Sequence, residues 1–473
     1  GQRPDAGFWG QSGYRRGHFE RPAVTRASRP ATTGRVQSNR YDFRADRLKL
    51  MSTQKGGAIT MLGSSVDIAI VGAGIAGLSA ASALRQHNVD FSLLEASHRI
   101  GGRAYTEEVM PGLPLDLGCH WLHSADLNPF VEIAGRHGFH YDSSRKPGAV
   151  FAGGDWIGPD QRNEIRRLHD RNHKQMAALP EDGGDHAVVD MTDRDSPWTA
   201  LIDYEVSLDM AHDPDAVSVR DVMSYRRTGE DWPVKEGFGA LIARCLGDVP
   251  VTLNAAVERI DWSGPKVRLV TQRGEVSAKK VIVTTSTGIL GSGDIRFDPQ
   301  LPEWKNEAIS SLPLGNHNRI YLIFDRDVFG EEAPDRVTVM DGDGAPISLD
   351  IRPFGYNIVH GMTGGRFADW LERAGMEASA DFAMEKLKEA YGSSITRHVV
   401  RTLATAWRGD PWVKGAYAAA QPGQSHQRSL LARPIDDCLY FAGEACSPNS
   451  LATAHGAYWS GIEAAEAAGG SLT

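Results

Sequence analysis

The feature that most constrains the fold is the stretch AIVGAGIAGLSAASAL, from Ala69 to Leu84. The apolar run Val66 to Val71 has the composition of a strand that is buried on both faces. Gly72, Gly74 and Gly77 follow in the spacing that opens a helix against such a strand. Gly72 would permit the tight turn, Gly74 would let a diphosphate approach the backbone, and Gly77 would let the helix pack closely on the strand. Amides at the helix start would face the phosphates, so the stretch predicts a dinucleotide site. A glycine-rich turn in an ordinary α/β unit is the alternative.

The residues that follow indicate which dinucleotide is bound. A second predicted strand, Val89 to Leu94, ends in Glu95, at the distance expected for a carboxylate that accepts ribose hydroxyls. The segment HRIGGRAY comes next, without the long helix of a nicotinamide dehydrogenase. Gly101 and Gly102 can approach a diphosphate, and Arg103 offers a planar fork to its oxygens. This pattern favours FAD, and the alternative is a simple turn followed by a solvated arginine.

The C-terminal segment CLYFAGEACSPNSLATAHGAYWSG predicts a strand, a turn at Gly443 and Glu444, a loop and a helix. Small residues around the start of this helix would let it approach a flat ring closely: Ala452, Ala454, Gly456 and Ala457. The positive end of the helix dipole suits the pyrimidine carbonyl that becomes negative when a flavin is reduced. An alanine-rich packing helix would explain the small residues but not the turn before them.

Composition restricts the class of protein. The 473 residues allow two or three domains, and 41% hydrophobic with 23% charged residues is typical of a soluble globular enzyme. The net charge of -9 argues against nucleic acid as the main partner and permits a cationic substrate. The four cysteines show no Cys-x-x-Cys spacing, so we expect free thiols in a reducing, cytoplasmic compartment. No stretch reaches the roughly 18 apolar residues of a membrane span.

Two further features of the sequence are its N-terminal segment and a pair of histidines. Residues 1–62, rich in Arg, Gly, Ser and Pro, predict a disordered arm, with a transit peptide or upstream sequence as alternatives. His169 and His173 have the i,i+4 spacing of a metal pair but lack carboxylates at ligand spacing. We interpret them as a solvated face of a helix predicted over Arg162 to Ala178, and we expect no metal site.

The predicted fold class is α/β, a Rossmann-like FAD-binding domain carrying the GxGxxG turn with an inserted α+β substrate-binding domain. Period-two alternation after residue 250 predicts a small β-meander that returns to a buried strand, Lys280 to Thr284. We expect the chain to alternate between the domains. The FAD-binding domain takes residues 63–150, 233–298 and 403–473, and the substrate domain takes residues 151–232 and 299–402.

These segments together resemble the flavin-containing amine oxidases, which include monoamine oxidases, polyamine and spermine oxidases and lysine-specific histone demethylases. The resemblance runs from about Val66 to Ala468. It implies that FAD is held by the glycine turn, Glu95, Arg103 and the Gly443–Glu444 turn. The full set of expected cofactor-binding residues is Gly72, Gly74, Ala76, Gly77, Glu95, Ala96, Gly102, Arg103, Gly118, His120, Trp121, Val257, Trp407, Gly443, Glu444, Thr453 and Ala454.

The resemblance also implies substrate-site residues. Trp407 and Tyr417, in WRGDPWVKGAY, match aromatic residues that wall the substrate channel, where aromatic faces attract a cationic amine. By spacing alone they would be core residues. His123, in DLGCHWLHSADLNP, matches a histidine beside the flavin that could accept a proton, although it could also be structural. Monoamine oxidases carry a flavin-linked cysteine where this chain has Ala416, so the resemblance implies non-covalent FAD.

One position departs from the family. In LGNHNRIYLIF the family usually has a lysine that holds a water near the flavin N5, and this chain has Arg319. Strand alternation would point Arg319 inward together with Tyr321 and Ile323. Arginine keeps its proton, so it could act only as a fixed charge or a donor to water.

The expected function is oxidation of the carbon next to an amine nitrogen of a polyamine or another primary or secondary amine. Dioxygen would accept the electrons, giving hydrogen peroxide and an imine that hydrolyses to an aldehyde. Catalytic roles are expected for Arg319, His123, Trp407 and Tyr417, in a monomer or homodimer. An amino-acid oxidase is an alternative if Arg226, Arg227 or Arg352 binds a carboxylate. A desaturase of the same fold and a non-catalytic flavoprotein scaffold are the others.

Overall fold

Two seven-stranded sheets form the frame of the protein. The computed structural model describes residues 62–144, 148–180, 183–340 and 344–470, so the predicted N-terminal arm, apart from its last residue, lies outside the described residues. The strands are β1 (Leu62–Val71), β2 (Phe91–Leu94), β3 (Thr106–Met110), β4 (Leu113–Asp116), β5 (Trp121–Leu122), β6 (Ala149–Ala152), β7 (Asp155–Trp156), β8 (Trp232–Pro233), β9 (Val257–Asp261), β10 (Val267–Thr271), β11 (Gly274–Val283), β12 (Arg296–Asp298), β13 (His317–Phe324), β14 (Arg336–Met340), β15 (Ile347–Ile351), β16 (Ile358–Gly364), β17 (Val399–Ala404) and β18 (Leu439–Phe441).

Helices cover the sheets and connect them. The α-helices are α1 (Ile75–Gln86), α2 (Pro129–His137), α3 (Pro159–Ala177), α4 (Thr199–Met210), α5 (Val219–Ser224), α6 (Phe238–Leu246), α7 (Thr287–Ser292), α8 (Glu303–Ser310), α9 (Gly365–Ala374), α10 (Met376–Tyr391), α11 (Gln427–Ala432) and α12 (Ala454–Gly470). Short 3-10 helices lie at Val188–Met191, Pro214–Ala216, Pro353–Gly355, Ile395–His398 and Glu444–Cys446. None of the helices in the described residues is long and apolar enough to cross a membrane.

The first sheet has the Rossmann-like arrangement that the glycine motif predicts. β1 lies between β2 and β11 and is parallel to both. The second half of β11 pairs in parallel with β18, and its first half pairs antiparallel with β10, which continues to β9 and β12. The apolar run in β1 is buried on both faces because α1 and α12 cover one side and the β-meander core covers the other.

Close helix packing explains two of the glycines. A Cβ on Gly77 would lie 1.9 Å from the carbonyl oxygen of Gly72, so only glycine lets α1 sit this near the turn. A Cβ on Gly461 would lie 2.1 Å from the carbonyl oxygen of Ala76, which brings α12 equally close to α1. The middle of α12 therefore packs directly on the first turn of α1, beside the carboxyl end of β1.

The second sheet is mostly antiparallel and has the strand order β17-β13-β16-β15-β14-β6-β7, with β14 and β6 parallel. One face packs on α10 through Leu322, Leu349 and Leu387. Its strands come from two separate stretches of the chain, residues 149–156 and 317–404. An α/β dinucleotide-binding fold with a separate α+β layer is confirmed as the fold class. The exact domain boundaries remain predictions.

Candidate active site

A cavity of about 1460 Å³ runs between the two sheets. One end is bounded by the glycine turn after β1 and by the carboxyl end of β2. The other end is bounded by α4 and by strands of the second sheet. The volume of the cavity and the different chemistry of its two ends suit a large cofactor with a smaller molecule beside it.

The glycine turn forms one wall from backbone alone. Gly72 has φ of +100°, a conformation that favours glycine, and α1 begins three residues after it with Ile75 at the cavity. Gly74 and Ala76 line the cavity, whereas Gly77 does not and serves the packing of the helix. A Cβ on Gly74 would meet no atom within 4 Å, so the turn leaves open space where a diphosphate could approach the backbone.

Glu95 closes the same wall at the end of β2. Its Oε2 accepts a hydrogen bond from the amide of Ala73 at 2.6 Å, and its Oε1 accepts one from the amide of Ser97 at 2.7 Å. Burial raises the pKa of the carboxyl, and the two amides oppose that shift. The carboxyl group therefore ties the strand end to the glycine turn and is held at the cavity, next to Ala96.

Arg103 and Glu444 link the N-terminal and C-terminal parts of the cofactor wall, which is the part of the cavity lined by the residues expected to bind the cofactor. The Arg103 Nη1 donates to the Oε1 of Glu444 at 2.8 Å and to the carbonyl of Ala416 at 2.6 Å. A Cβ on the neighbouring Gly443 would meet nothing within 4 Å, which again leaves the wall open. All the expected cofactor-binding residues except Gly77 line the one cavity: Gly72, Gly74, Ala76, Glu95, Ala96, Gly102, Arg103, Gly118, His120, Trp121, Val257, Trp407, Gly443, Glu444, Thr453 and Ala454.

Asp116 is a structural residue of this region that the sequence reasoning missed. Its buried carboxylate accepts from Nδ1 of His120 at 2.8 Å and from the amides of Phe238 and Gly239 at the start of α6. An anion at a helix start is favoured by the exposed amides there. Asp116 therefore fixes the His120 ring. No local motif predicts this role, because the amide of Phe238 that it binds lies 122 residues away in the sequence.

His123 forms a pair with Asp231, and both line the cavity. The His123 Nδ1 lies 2.9 Å from the Oδ1 of Asp231, and 40% of the histidine side chain is exposed, which leaves its other nitrogen accessible. Burial would raise the pKa of Asp231, but first the hydrogen bond with His123 and then Arg227 and the amide of Ser124 hold that pKa well below the usual range. The structure thus supplies the imidazole with a carboxylate partner that sequence reasoning could not identify, since it lies 108 residues away.

Trp407 and Tyr417 both line the cavity and are both largely buried. The indole Nε1 of Trp407 donates to the carbonyl of Leu117 at 2.8 Å. The Tyr417 hydroxyl donates to the carbonyl of Leu208 and lies 2.9 Å from Nδ1 of His317. The polar ends of these rings are therefore bonded to the protein. The two side chains can offer mainly aromatic surface to a bound molecule.

Arg319 lies where strand alternation predicts, on the same face of β13 as Tyr321 and Ile323. It lines the cavity and is 5% exposed. Its Nε donates to the carbonyl of Gly118 at 2.8 Å, and its guanidinium lies 5.1 Å from the ring centre of Trp121. The arginine is therefore held against two residues of the expected cofactor wall.

The end of the cavity formed by α4 is acidic. Glu205 and Asp209, one helical turn apart, both line it, and Arg227 is paired with Asp209. Burial and then Asp209 raise the pKa of Glu205 to about 8, while Arg227 opposes the shift. Sequence reasoning missed this pair because the segment carries no recognisable motif.

The interpretation of His169 as part of a solvated helix face is wrong. Its Nε2 lies 3.5 Å from Oε2 of Glu205, its side chain is 27% exposed, and it lines the cavity. Burial lowers its pKa to about 3. His173 also lines the cavity but is exposed. The i,i+4 spacing carries both histidines on the side of α3 that faces the cavity, which polarity alone did not reveal. Within the described residues, no group of three His, Cys, Asp or Glu side chains could hold a metal ion.

Comparison with known proteins agrees with this geometry. The chain matches the flavin containing amine oxidoreductase family over residues 160–468 and a NAD(P)-binding Rossmann-like domain over residues 70–134. The chain belongs to the flavin containing amine oxidoreductases. This confirms the resemblance drawn from the motifs, the assignment as a flavin oxidoreductase that acts on carbon–nitrogen groups, and FAD as the cofactor.

Individual relatives share most of the chain. It is 28% identical over 443 residues to probable polyamine oxidase 4 of Arabidopsis thaliana, which covers 85% of this chain and 86% of the relative. It is 24% identical over 438 residues to lysine-specific histone demethylase 2 of Homo sapiens, covering 84% of this chain and 53% of the relative. The fold is shared with wild-type putrescine oxidase bound to putrescine, at a TM-score of 0.70 and 19% identity over 85% of this chain and 98% of that one.

Proposed function

We propose that the protein oxidises a polyamine, or another primary or secondary amine, at the carbon next to nitrogen. The observation that carries the proposal is that Glu205 and Asp209 line the same cavity as the residues expected to bind the dinucleotide. A carboxylate there would attract a second ammonium group of the substrate, and Glu205 becomes a carboxylate as the pH rises through about 8. The names of the relatives, which include several polyamine oxidases, support the same substrate class.

The proposed reaction removes two electrons and two protons from a CH–NH group and leaves an imine. FAD held in the cavity would supply the two-electron acceptor chemistry for this oxidation, with dioxygen as the final electron acceptor and hydrogen peroxide as the product. Water would hydrolyse the imine to an aldehyde and an amine or ammonia. Of the chain's own residues, Trp407 and Tyr417 would orient the amine through their rings. Arg319 would stand as a fixed positive charge in the wall.

His123 would accept a proton from the bound ammonium. Because Asp231 bonds to its Nδ1, the neutral ring would carry its proton there and leave Nε2 as an acceptor toward the cavity. The amine must lose its charge before a hydride equivalent can leave the neighbouring carbon. A positioned imidazole is therefore useful at this point.

The arginines disfavour the amino-acid oxidase alternative. A carboxylate substrate needs a guanidinium that is free to bind it. Each cavity-lining arginine in the described residues already donates to a carboxylate or a carbonyl, namely Arg99 to Gly102, Arg103 to Glu444, Arg227 to Asp209, Arg319 to Gly118, Arg336 to Asp350 and Arg352 to Asp327. Arg226 does not line the cavity.

The proposal is tested by anaerobic reduction of the flavin with a panel of polyamines, monoamines and amino acids, followed by peroxide detection after oxygen is admitted. We expect bleaching by polyamines and peroxide in equal amount to substrate. Bleaching by amino acids alone would overturn the proposal. A flavin that is bleached but does not return with peroxide would reject the oxidase half of it.

FAD is proposed to be non-covalent because Ala416, which lines the cavity, has no thiol that could bond to the flavin. Acid precipitation should then release intact FAD into the supernatant, and flavin retained by the precipitate would contradict this. A cytoplasmic location is proposed from the four free cysteines. The oligomeric state, monomer or homodimer, stays a prediction.

A further inference from the structure

A row of polar side chains crosses four strands of the second sheet beside Arg319. Arg336 on β14 is in register with Asp350 on β15, Asp350 with His360 on β16, and His360 with Tyr321 on β13. Side chains that face each other across strands in this way lie within contact distance. The row ends at Tyr321, which is two residues from Arg319 on the same face of β13. Across the strands, the register partner of Arg319 is Met362, two residues from His360.

The polar contacts along the row converge on Asp350 from both sides. The Arg336 Nε lies 2.5 Å from Oδ1 of Asp350, and the His360 Nδ1 lies 3.4 Å from Oδ2 of Asp350. On the far side of the imidazole, the Nε2 of His360 lies 2.7 Å from Nη1 of Arg319. A guanidinium can only donate, so the Nε2 of His360 must be the acceptor.

This assignment requires a neutral imidazole. His360 is 1% exposed, and burial lowers its pKa to about 3 against the opposing influence of Asp350. The single ring proton is then on Nδ1, toward Asp350. Burial would raise the pKa of Asp350, but Arg336 and His360 hold it below its usual range. The charged carboxylate therefore faces the Nδ1–H of His360 across 3.4 Å and favours the proton on that nitrogen.

Aromatic neighbours hold the imidazole plane. The Tyr321 ring is stacked on His360 with centres 4.7 Å apart and planes 14° apart. The Trp121 ring is also stacked on it at 6.1 Å, and His120 meets it edge-on at 5.4 Å. The ring therefore has little freedom to turn its Nε2 away from Arg319.

We propose that His360 is a positioning residue that fixes the Arg319 guanidinium in the cofactor wall, with Asp350 setting the tautomer of His360 and Arg336 holding Asp350. Arginine, like the lysine expected at this position, carries rotamer entropy that must be lost to fix its charge. A fixed acceptor is therefore needed to keep its charge in one place. This role does not depend on which amine the enzyme oxidises, because it concerns the cofactor side of the cavity.

The test is the affinity of the purified holoprotein for sulfite, an anion that bleaches the flavin absorbance when it binds and that a nearby fixed positive charge favours. We expect His360→Leu to weaken sulfite binding about tenfold, since a charged hydrogen bond is lost and the guanidinium is no longer held. His360→Gln keeps a carbonyl acceptor and should remain within about threefold of the parent. FAD content is measured in each variant.

A double variant separates positioning from a general packing effect. Arg319→Met should weaken sulfite binding at least as much as His360→Leu. Adding His360→Leu to it should then have little further effect, because the two residues act through one group. His398→Leu, at an exposed histidine paired with Asp325, is the matched control and should not change sulfite affinity.

Three results would overturn the proposal: unchanged sulfite affinity in His360→Leu with normal FAD content, fully additive losses in the double variant, or an unchanged affinity in Arg319→Met. If His360→Leu does not fold, the proposal is tested by comparing His360→Gln with Asp350→Asn. The His360→Gln variant should retain its affinity for sulfite. The Asp350→Asn variant should bind sulfite more weakly, because the tautomer of His360 is no longer set. Equal affinities in those two variants would count against the proposal.

Discussion

The two ends of the cavity are built in different ways. At the dinucleotide end, the glycine turn is made from backbone and small residues that are close in sequence, with Gly72, Gly74 and Gly77 inside six positions. The proposed amine end is made from titratable side chains that the fold gathers from distant segments, such as His123 and Asp231. The glycine turn depends on the absence of side chains, and the proposed amine end depends on their charge.

This difference sets what a substitution can do at each end. Adding one methyl group at the dinucleotide end fills space that helix or cofactor needs. Removing one charge at the amine end leaves the packing nearly unchanged but alters affinity and its dependence on pH. The following predictions test that division, and the first concerns the buried ion pair that joins segments of both layers.

The largest expected effect is on the pair of Arg428 and Asp221. The Arg428 Nε and Nη2 donate to the two carboxylate oxygens of Asp221 at 2.6 and 2.7 Å, and both side chains are 1% exposed. Arg428→Met would leave a buried charge without its partner, so we expect the free energy of unfolding to fall by about 3–5 kcal/mol. Chemical denaturation of the holoprotein measures this loss.

The matched control is the exposed pair of Arg85 and Asp248, whose side chains are 44% and 68% exposed. Arg85→Met should cost about 0.5 kcal/mol, because solvent screens the pair. Equal losses in the two variants would show that the buried pair does not join the layers in the way the contacts indicate.

The second prediction separates two roles of glycine at the dinucleotide end. Gly77→Ala places a Cβ 1.9 Å from the carbonyl oxygen of Gly72, so α1 must move, and we expect a loss of about 1–3 kcal/mol in the free energy of unfolding. Gly74→Ala meets no atom within 4 Å and has φ of -72°, so the FAD-free protein should keep its stability. Its FAD affinity should still fall roughly tenfold or more, because the methyl group occupies the approach to the backbone.

Denaturation of the FAD-free protein and titration with FAD distinguish the two variants. If Gly74→Ala binds FAD as tightly as the parent, the cofactor does not approach the turn at that residue. If Gly77→Ala is as stable as the parent, the packing role assigned to this glycine is wrong.

Short local patterns in the sequence predicted residues that the fold does place along the cavity, and their roles toward FAD stay predictions. The glycine turn, Glu95 and the alternation that turns Arg319 inward all follow from neighbouring residues and strand geometry. The predicted start of β2 was two residues early, since Val89 still bonds back to the carbonyl of Leu84 at the end of α1. Errors of that size come from competition between turn and strand at an element boundary.

Sequence reasoning failed where partners are far apart in the chain. Asp231, Asp350 and His360 have no flanking motif, and their roles exist only because strands and loops bring them together. His169 was misassigned because its helix is mostly polar and buries only three apolar side chains, so polarity did not reveal that His169 borders the cavity. The register between distant strands and the position of a residue at a cavity depend on tertiary structure, and local patterns in one sequence do not reveal them.

The smallest expected effect is at Glu205. Its pKa of about 8, raised by burial and by Asp209, means that the side chain is largely neutral at pH 7 and becomes a carboxylate as the pH rises through 8. A distal ammonium, with an ordinary pKa near 10, would still be charged there. We expect the ratio of kcat/KM for a diamine to that for a monoamine to rise between pH 7 and 9. Taking the ratio cancels the ionisation of the reacting nitrogen.

In Glu205→Gln this ratio should be about tenfold lower at pH 9 and nearly independent of pH, since one charged contact to the distal ammonium is lost. The matched control is Glu132→Gln, at a glutamate with an 80% exposed side chain that does not line the cavity, and it should keep the parent profile. A parent-like rise in Glu205→Gln would assign the titration to another group. A lower ratio without any change in its pH dependence would mean that Glu205 acts by its shape and not by its charge, and the electrostatic description of this end of the cavity would then fail at Glu205.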